Sequence, residues 1–189
     1  MTIEEVHQLL QNRRSVYPDQ YLDKVIPDQL IRNILENANW APTHKLTEPW
    51  RFKVMKGATL KKFGTFMAEK YRSLNGLESF SVAKYEKLKM NPQKAGALIA
   101  ICMQRDPRKR VPEWEEIASV AMAVQNMWIT SCAYGIGCYW STPDLLEYFS
   151  EFEPLADEER CIGLFYMGYA NPPSGRIRRK PIEEKVKWL

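Results

Sequence analysis

Arg13-Arg14-Ser15 and Arg178-Arg179 carry the strongest chemical signal in this chain. A guanidinium offers a planar fork of donors that matches phosphate oxygens, and it stays charged at any working pH. Ser15 adds a hydroxyl to the first cluster, and Pro181 closes the chain just after the second. If the fold brings the two clusters together, they form a socket for a phosphate dianion. Each alone has a plainer reading. Arginines at a helix C-terminus are favoured by the helix dipole, and the basic run from Gly175 to Lys180 can be a solvated tail.

A second concentration of polar groups is Ala41-Pro-Thr-His-Lys-Leu-Thr-Glu-Pro-Trp50. Two prolines restrict themselves and their predecessors, so the loop holds its amides and the His44 ring in fixed positions. That arrangement suits contacts to a polar heterocycle; the alternative is an ordinary connection between a helix and a strand. His7, on the first helix, reads as a surface residue. Gly135-x-Gly137 invites a dinucleotide reading, but Trp140 stands where the third glycine belongs and a strand follows where a helix should. The four cysteines, 102, 132, 138 and 161, form no CxxC and have no histidine pair nearby, so metal ligation is not expected.

The elements that must position these residues follow from periodicity. Residues 2–13 read as a helix with Thr2 and Glu5 as a capping box and Ile3, Val6, Leu9 and Leu10 as its apolar stripe. A second helix begins at Pro27-Asp28, buries Leu30, Ile31, Ile34, Leu35 and Ala38, and ends by Pro42. Residues 50–55 alternate as a strand. Residues 58–90 read as helical, broken at Asn75-Gly76, and rich enough in Lys and Glu to lie on the surface. The apolar run 97–103 is a central strand. A long helix spans 113–133, apolar on nearly all sides, which predicts burial in a large core or at a subunit interface. Gly135–Thr142 turns into a strand, Pro143–Phe149 is a short helix, and residues 160–169 form another strand. The tail after Asn171 is too polar to fold alone. Helices and strands intersperse without a βαβ rhythm, which favours an α+β layered architecture.

At 189 residues the chain is sized for one domain, 1–189, with a sizeable core. Six Trp, nine Tyr and seven Phe argue against disorder. A net charge of +4 suits an anionic small ligand and does not demand a nucleic acid. No secretory leader pattern or membrane-length apolar run is present, so the expected setting is cytoplasmic, with no membrane partner.

Taken together, Arg13-Arg14-Ser15, Ala41-Pro42-Thr43-His44 through Pro49-Trp50, the Gly135–Gly137 turn leading to Trp140, and Arg179-Lys180-Pro181 onward resemble the FMN-dependent nitroreductase family. The likeness is to its short members with an APxHK loop, and it covers essentially the whole chain. It implies a three-layer α-β-α fold with a mixed, mostly antiparallel sheet, and a homodimer with helix 113–133 at the subunit interface and two shared active sites. Each site would hold one FMN: Arg13, Ser15 and Arg179 on the phosphate, Arg14 beside them, and Trp140, Ser141 and Thr142 along the ring. Pro42, Thr43 and His44 would approach from the other subunit. The implied activity is hydride transfer from NADH or NADPH to a planar, electron-poor oxidant, a nitroaromatic or quinone, by a ping-pong mechanism.

The chain departs from the family in three places. Leu46-Thr-Glu48 replaces an Asn-x-Gln pattern, Tyr17 stands where some members have Lys or Arg, and a glycine pair after Trp140 is missing. Two other readings stand beside this one. The first is a flavin-binding sensor or carrier without turnover. The second is a basic nucleic-acid-binding protein using Arg176, Arg178, Arg179 and Lys180, for which only Trp188 is at hand to stack on a base.

Overall fold

The computed structural model describes residues 2–76, 78–171 and 179–189. Arg176 and Arg178 therefore lie outside the described residues. Six α-helices and four strands are found among them: α1 (Ile3–Asn12), α2 (Asp28–Ala38), β1 (Trp50–Met55), α3 (Ala58–Leu74), α4 (Val82–Lys94), β2 (Ala97–Gln104), α5 (Glu113–Ala133), β3 (Ile136–Ser141), α6 (Phe149–Phe152) and β4 (Glu159–Tyr169). The strands form one sheet in the order β1-β2-β4-β3, and all three ladders are antiparallel. The mixed character expected of the sheet reduces to a single parallel bridge between Ser15 and Cys138.

The two-residue period of a strand sends alternate side chains to opposite faces, and β2 uses both. Ala97, Ile99, Ile101 and Met103 enter one core with α2 and α5, while Leu98, Ala100 and Cys102 enter a second with α3 and the residues around α6. That double burial explains the unbroken apolar run in the sequence. Helices thus cover both faces.

Two expectations change. Residues 58–90 are not simply a surface segment: α3 turns Leu60, Phe63, Met67 and Tyr71 into the second core. Helix α5 is not buried all round within one chain either. Val120, Ala123, Val124 and Met127 face the sheet, but Trp114 (67% exposed), Ile117 and Met122 do not. The apolar stripe of α1 is likewise open, with Val6 and Leu9 half-buried and Ile3 and Leu10 exposed. The short helix expected over 143–149 is a 3-10 turn, Asp144–Tyr148, running into α6.

The start of α5 is fixed by a buried carboxylate. Glu116 has no exposure, pairs with Arg105, and accepts the Asp106 amide N–H at 2.8 Å. Asp106 in turn accepts two bonds from the Arg110 guanidinium, Nε at 2.7 Å and Nη2 at 3.2 Å, which holds its carboxyl down to about 2.

Removing one partner of a buried ion pair strands the other, at about 3–5 kcal/mol, so Glu116→Ala should lose that much stability in denaturant unfolding. The Asp106 contribution has a set pH window. It is fully present above the unfolded carboxylate value of about 4 and is lost as pH falls through about 2. The stability gap between wild type and Asp106→Asn should therefore close over that interval.

Candidate functional site

The segment 13–17 is tied to β3 and α5 by backbone bonds. Ser15 bridges Cys138, the Val16 N–H donates to Cys138 O at 2.9 Å, and Trp128 Nε1 donates to Arg14 O at 3.1 Å. The approach is close enough that a Cβ at Gly137 would meet the Val16 side chain at 2.8 Å. Glycine is needed there for space. The Arg13 guanidinium lies 4.6 Å over the Trp128 ring, a cation–π contact that does not use up its N–H donors. Arg13 and Arg14 both act electrostatically on Cys132 at the end of α5.

This segment separates two clefts. One, of about 380 Å³, lies between Asn12, Arg14, Trp128, Cys132 and Gly137. The other, of about 440 Å³, lies on the opposite side of β3 and is lined by Tyr17, Lys84, Lys87, Leu88, Asn91, Tyr139, Ser141 and Pro143. It continues into a third hollow that shares Lys84, Leu88, Tyr139, Ser141 and Pro143 and adds Thr142 and Tyr148. The Tyr17 and Tyr139 rings meet at 4.6 Å. The acidic Asp19 at the rim is paired with Lys94, which holds its carboxyl below the usual range. Lys84 and Lys87 thus give the cleft a positive, aromatic lining.

Of the residues singled out in sequence, Arg13, Arg14 and Ser15 sit together, and Ser141 and Thr142 line the second cleft system. Ser141 is three positions beyond Cys138, about 10 Å along the strand. Trp140, pointing the other way, packs against the α2/α5 core. Its buried Nε1 has no hydrogen-bond partner, and its indole lies so close over Gly163 that any Cβ there would run into it. Arg179 is exposed beside Pro181. Sequence reasoning did not find Lys84, Lys87, Asn91 or Tyr139. The lysines looked like a solvated helix face, and only the packing of α4 beside β3 turns them into a wall.

Pro42, Thr43 and His44 are elsewhere. His44 Nδ1 meets Glu115 Oε2 at 2.5 Å, and Lys45 Nζ donates to Arg110 O at 2.9 Å, so the loop is clamped to the first turn of α5. Lys45, Leu46 and Glu48 all have positive φ, of 53°, 51° and 42°, a conformation uncommon outside glycine. Thr43 steadies the loop by accepting the Glu48 N–H. Arg13 sits at Trp128, and at about 1.5 Å per residue the rise from Glu115 to Trp128 is about 20 Å. Within one chain, the loop and the arginines lie at opposite ends of α5.

The nitroreductase family profile matches residues 10–169. The chain belongs to the nitroreductase family. Among curated proteins it is 26% identical to YfhC of Bacillus subtilis, over 96% of both chains, and 26% identical to YdjA of Escherichia coli, over 85% of this chain and 86% of that one. Both are named as candidate NAD(P)H nitroreductases. Among solved structures, a nitroreductase-like protein from Bacillus cereus superposes with a TM-score of 0.83 at 27% identity, covering 100% of this chain and 98% of the other. The FMN-dependent nitroreductase NfnB of Mycobacterium smegmatis, solved with NADPH, shares the fold at a TM-score of 0.78 and 14% identity, over 98% of each chain. Membership agrees with the resemblance carried by the arginine cluster, the APxHK loop and the Gly135–Gly137 turn. No helix among the described residues is long and apolar enough to cross a membrane, and none of their acidic, cysteine and histidine side chains gather into a metal-binding group.

Forcing a methyl group into the Trp140–Gly163 contact costs about 1–3 kcal/mol by overpacking. Gly163→Ala should lower the melting temperature and shift tryptophan fluorescence, because Trp140 must move.

Proposed function

We propose that this nitroreductase-family chain binds FMN and transfers hydride from NADH or NADPH to a planar, electron-poor acceptor of the nitroaromatic or quinone type. The observation that carries the reading is the Ser15–Cys138 pairing. It sets Arg13, Arg14 and Ser15 beside the strand whose far end presents Tyr139 and Ser141 to an aromatic, lysine-lined cleft.

The donor set suits the cofactor. Arg13, Ser15 and Arg179 would take the phosphate, with Arg14 next to them. Ser141 and Thr142 would offer hydroxyl and amide groups along the ring, while Trp140 would brace that strand from the core side. Lys84 and Lys87 supply positive charge that favours an electron-rich ring. FMN, when bound, supplies the hydride chemistry. The chain's own part is to bind, orient and exclude water. With no dinucleotide-binding fingerprint, donor and acceptor would use the same open face in turn.

We further propose that the working unit is a homodimer with shared active sites. The exposed stripe of α5, Trp114, Ile117 and Met122, with Trp40 and Leu46 near the loop (both 78% exposed), supports it. Large apolar side chains left exposed along one helix are what an interface would cover. Pairing α5 with a second copy brings the Pro42–His44 loop of one chain toward the Arg13 end of the other, across the gap of about 20 Å that one chain leaves.

Arg13→Ala and Arg179→Ala should each weaken FMN about ten- to a hundred-fold while leaving riboflavin nearly unchanged, because a charge-assisted phosphate contact is worth about 1.5–3 kcal/mol. Fluorescence titration with both flavins measures this, and equal losses would remove the phosphate assignment. Dimers mixed from His44→Ala and Arg13→Ala chains should recover one intact site. No recovery under conditions of subunit exchange would refute the shared-site geometry. Initial rates varied over NADH or NADPH and a quinone should give parallel double-reciprocal lines; a protein that binds FMN yet oxidises neither nicotinamide would be a carrier or sensor instead.

A further inference from the structure

Cys102 and Cys161 stand directly opposite each other on the paired strands β2 and β4, and the proposed activity uses neither. Both face the α3 side of the sheet: Cys102 is fully buried in that core, and Cys161 is half-buried against it. The register shifts between Ile101 and Cys102, leaving Ile162 without an opposite number. Opposed residues of an antiparallel pair have Cα atoms about 4.5–5.5 Å apart. That lies within the roughly 4.4–6.8 Å that a disulfide spans, so a bond between them requires little backbone movement. Both thiols are free.

The two sulfurs also act on each other. The neighbouring Cys102 holds the Cys161 thiol below its ordinary range, and Cys161 Sγ lies 3.5 Å from Gly163 O. The same contact, with burial, pushes the Cys102 thiol up. Lys53 and Glu159 are the charged groups acting on the pair. A partly accessible thiol inclined to ionise, with a second thiol directly across the strand pair on the same face, is the arrangement that oxidants convert to a disulfide. The other two cysteines differ: Cys132, near the end of α5, and Cys138, in β3 with no cysteine opposite, neighbour each other but are not paired across strands, and burial pushes both thiols up.

We propose that Cys102 and Cys161 form a redox-active dithiol, a modification site whose oxidant is a hydroperoxide and whose product is an intramolecular disulfide. Cys161 sulfur, as thiolate, attacks one oxygen of hydrogen peroxide; the S–O bond forms, the O–O bond breaks, and hydroxide leaves to take a proton as water. Cys102 sulfur then attacks Cys161 sulfur; the S–S bond forms, the S–O bond breaks, and the departing oxygen leaves as a second water with the Cys102 proton. Two thiols lose two electrons in all, and one peroxide becomes two waters.

The test uses the purified full-length protein, as isolated, titrated with hydrogen peroxide under native conditions. Remaining thiols are then alkylated and the tryptic peptides mapped. Cuts after Lys94 and Arg105 isolate Cys102, and a cut after Arg160 places Cys161 at the head of its own peptide. One equivalent of peroxide should remove two hydrogens from the intact mass and link these two peptides. Dithiothreitol should release them, with Cys132 and Cys138 alkylated throughout. Cys161→Ser should abolish the link, whereas Cys102→Ser should leave a sulfenic acid on Cys161 that dimedone traps. A link through Cys132 or Cys138 would overturn the proposal. So would wild-type Cys161 passing to sulfinic acid while Cys102 stays a free thiol, or four cysteines still open to alkylation after excess peroxide.

Discussion

The packing of one face of α5 against β2 is the constraint on which the rest of the molecule depends. Val120, Ala123, Val124 and Met127 meet Ile99, Ile101 and Met103 in a single core, and that contact fixes both ends of the helix relative to the sheet. At the first turn, Glu115 and the buried Glu116 organise the His44 loop and the Arg105–Arg110 turn. Near the last turns, Trp128 carries Arg13 on its ring and holds the Arg14 carbonyl. A helix is stiff on this scale, so the two groups of candidate ligands are held apart by a fixed distance.

That separation gives the open face of α5 its meaning. A chain of this size leaves Trp114, Ile117 and Met122 in water, at an unfavourable hydration cost that burial against a second surface would remove. The same pairing would complete the candidate cofactor site. On the proposed ligand set, assembly and chemistry would be one requirement, since the His44 loop and the arginines stand at opposite ends of α5.

The sheet contributes differently on its two faces. Toward α2 and α5 it is an apolar core in which Trp140 lies over Gly163. Toward α3 and α4 it carries polar and thiol groups: Tyr139 and Ser141 at the end of β3, and Cys102 opposite Cys161 across β2 and β4. A one-residue register change would exchange the two faces. The bulge at Ile162 is therefore part of what sets the cysteines against each other.

Much of this was readable from the chain because it is local. The capping box of Thr2 and Glu5, the proline that opens α2, the double-faced apolar run of β2 and the turn at Gly135 are all decided within a few residues. The arginine cluster, the loop with His44 and the family itself were equally visible, since residue type and order carry them. Tertiary packing decided the remainder. It turned Lys84 and Lys87 from a charged helix face into a cleft wall, pointed Trp140 inward and Ser141 outward, and opened one side of a helix that reads as apolar all round. Strand pairing placed Cys102 against Cys161, although they stand 59 positions apart in the sequence, 161 less 102. Periodicity specifies which face of an element is apolar, but which partner meets that face is a long-range outcome, settled only when the sheet closes.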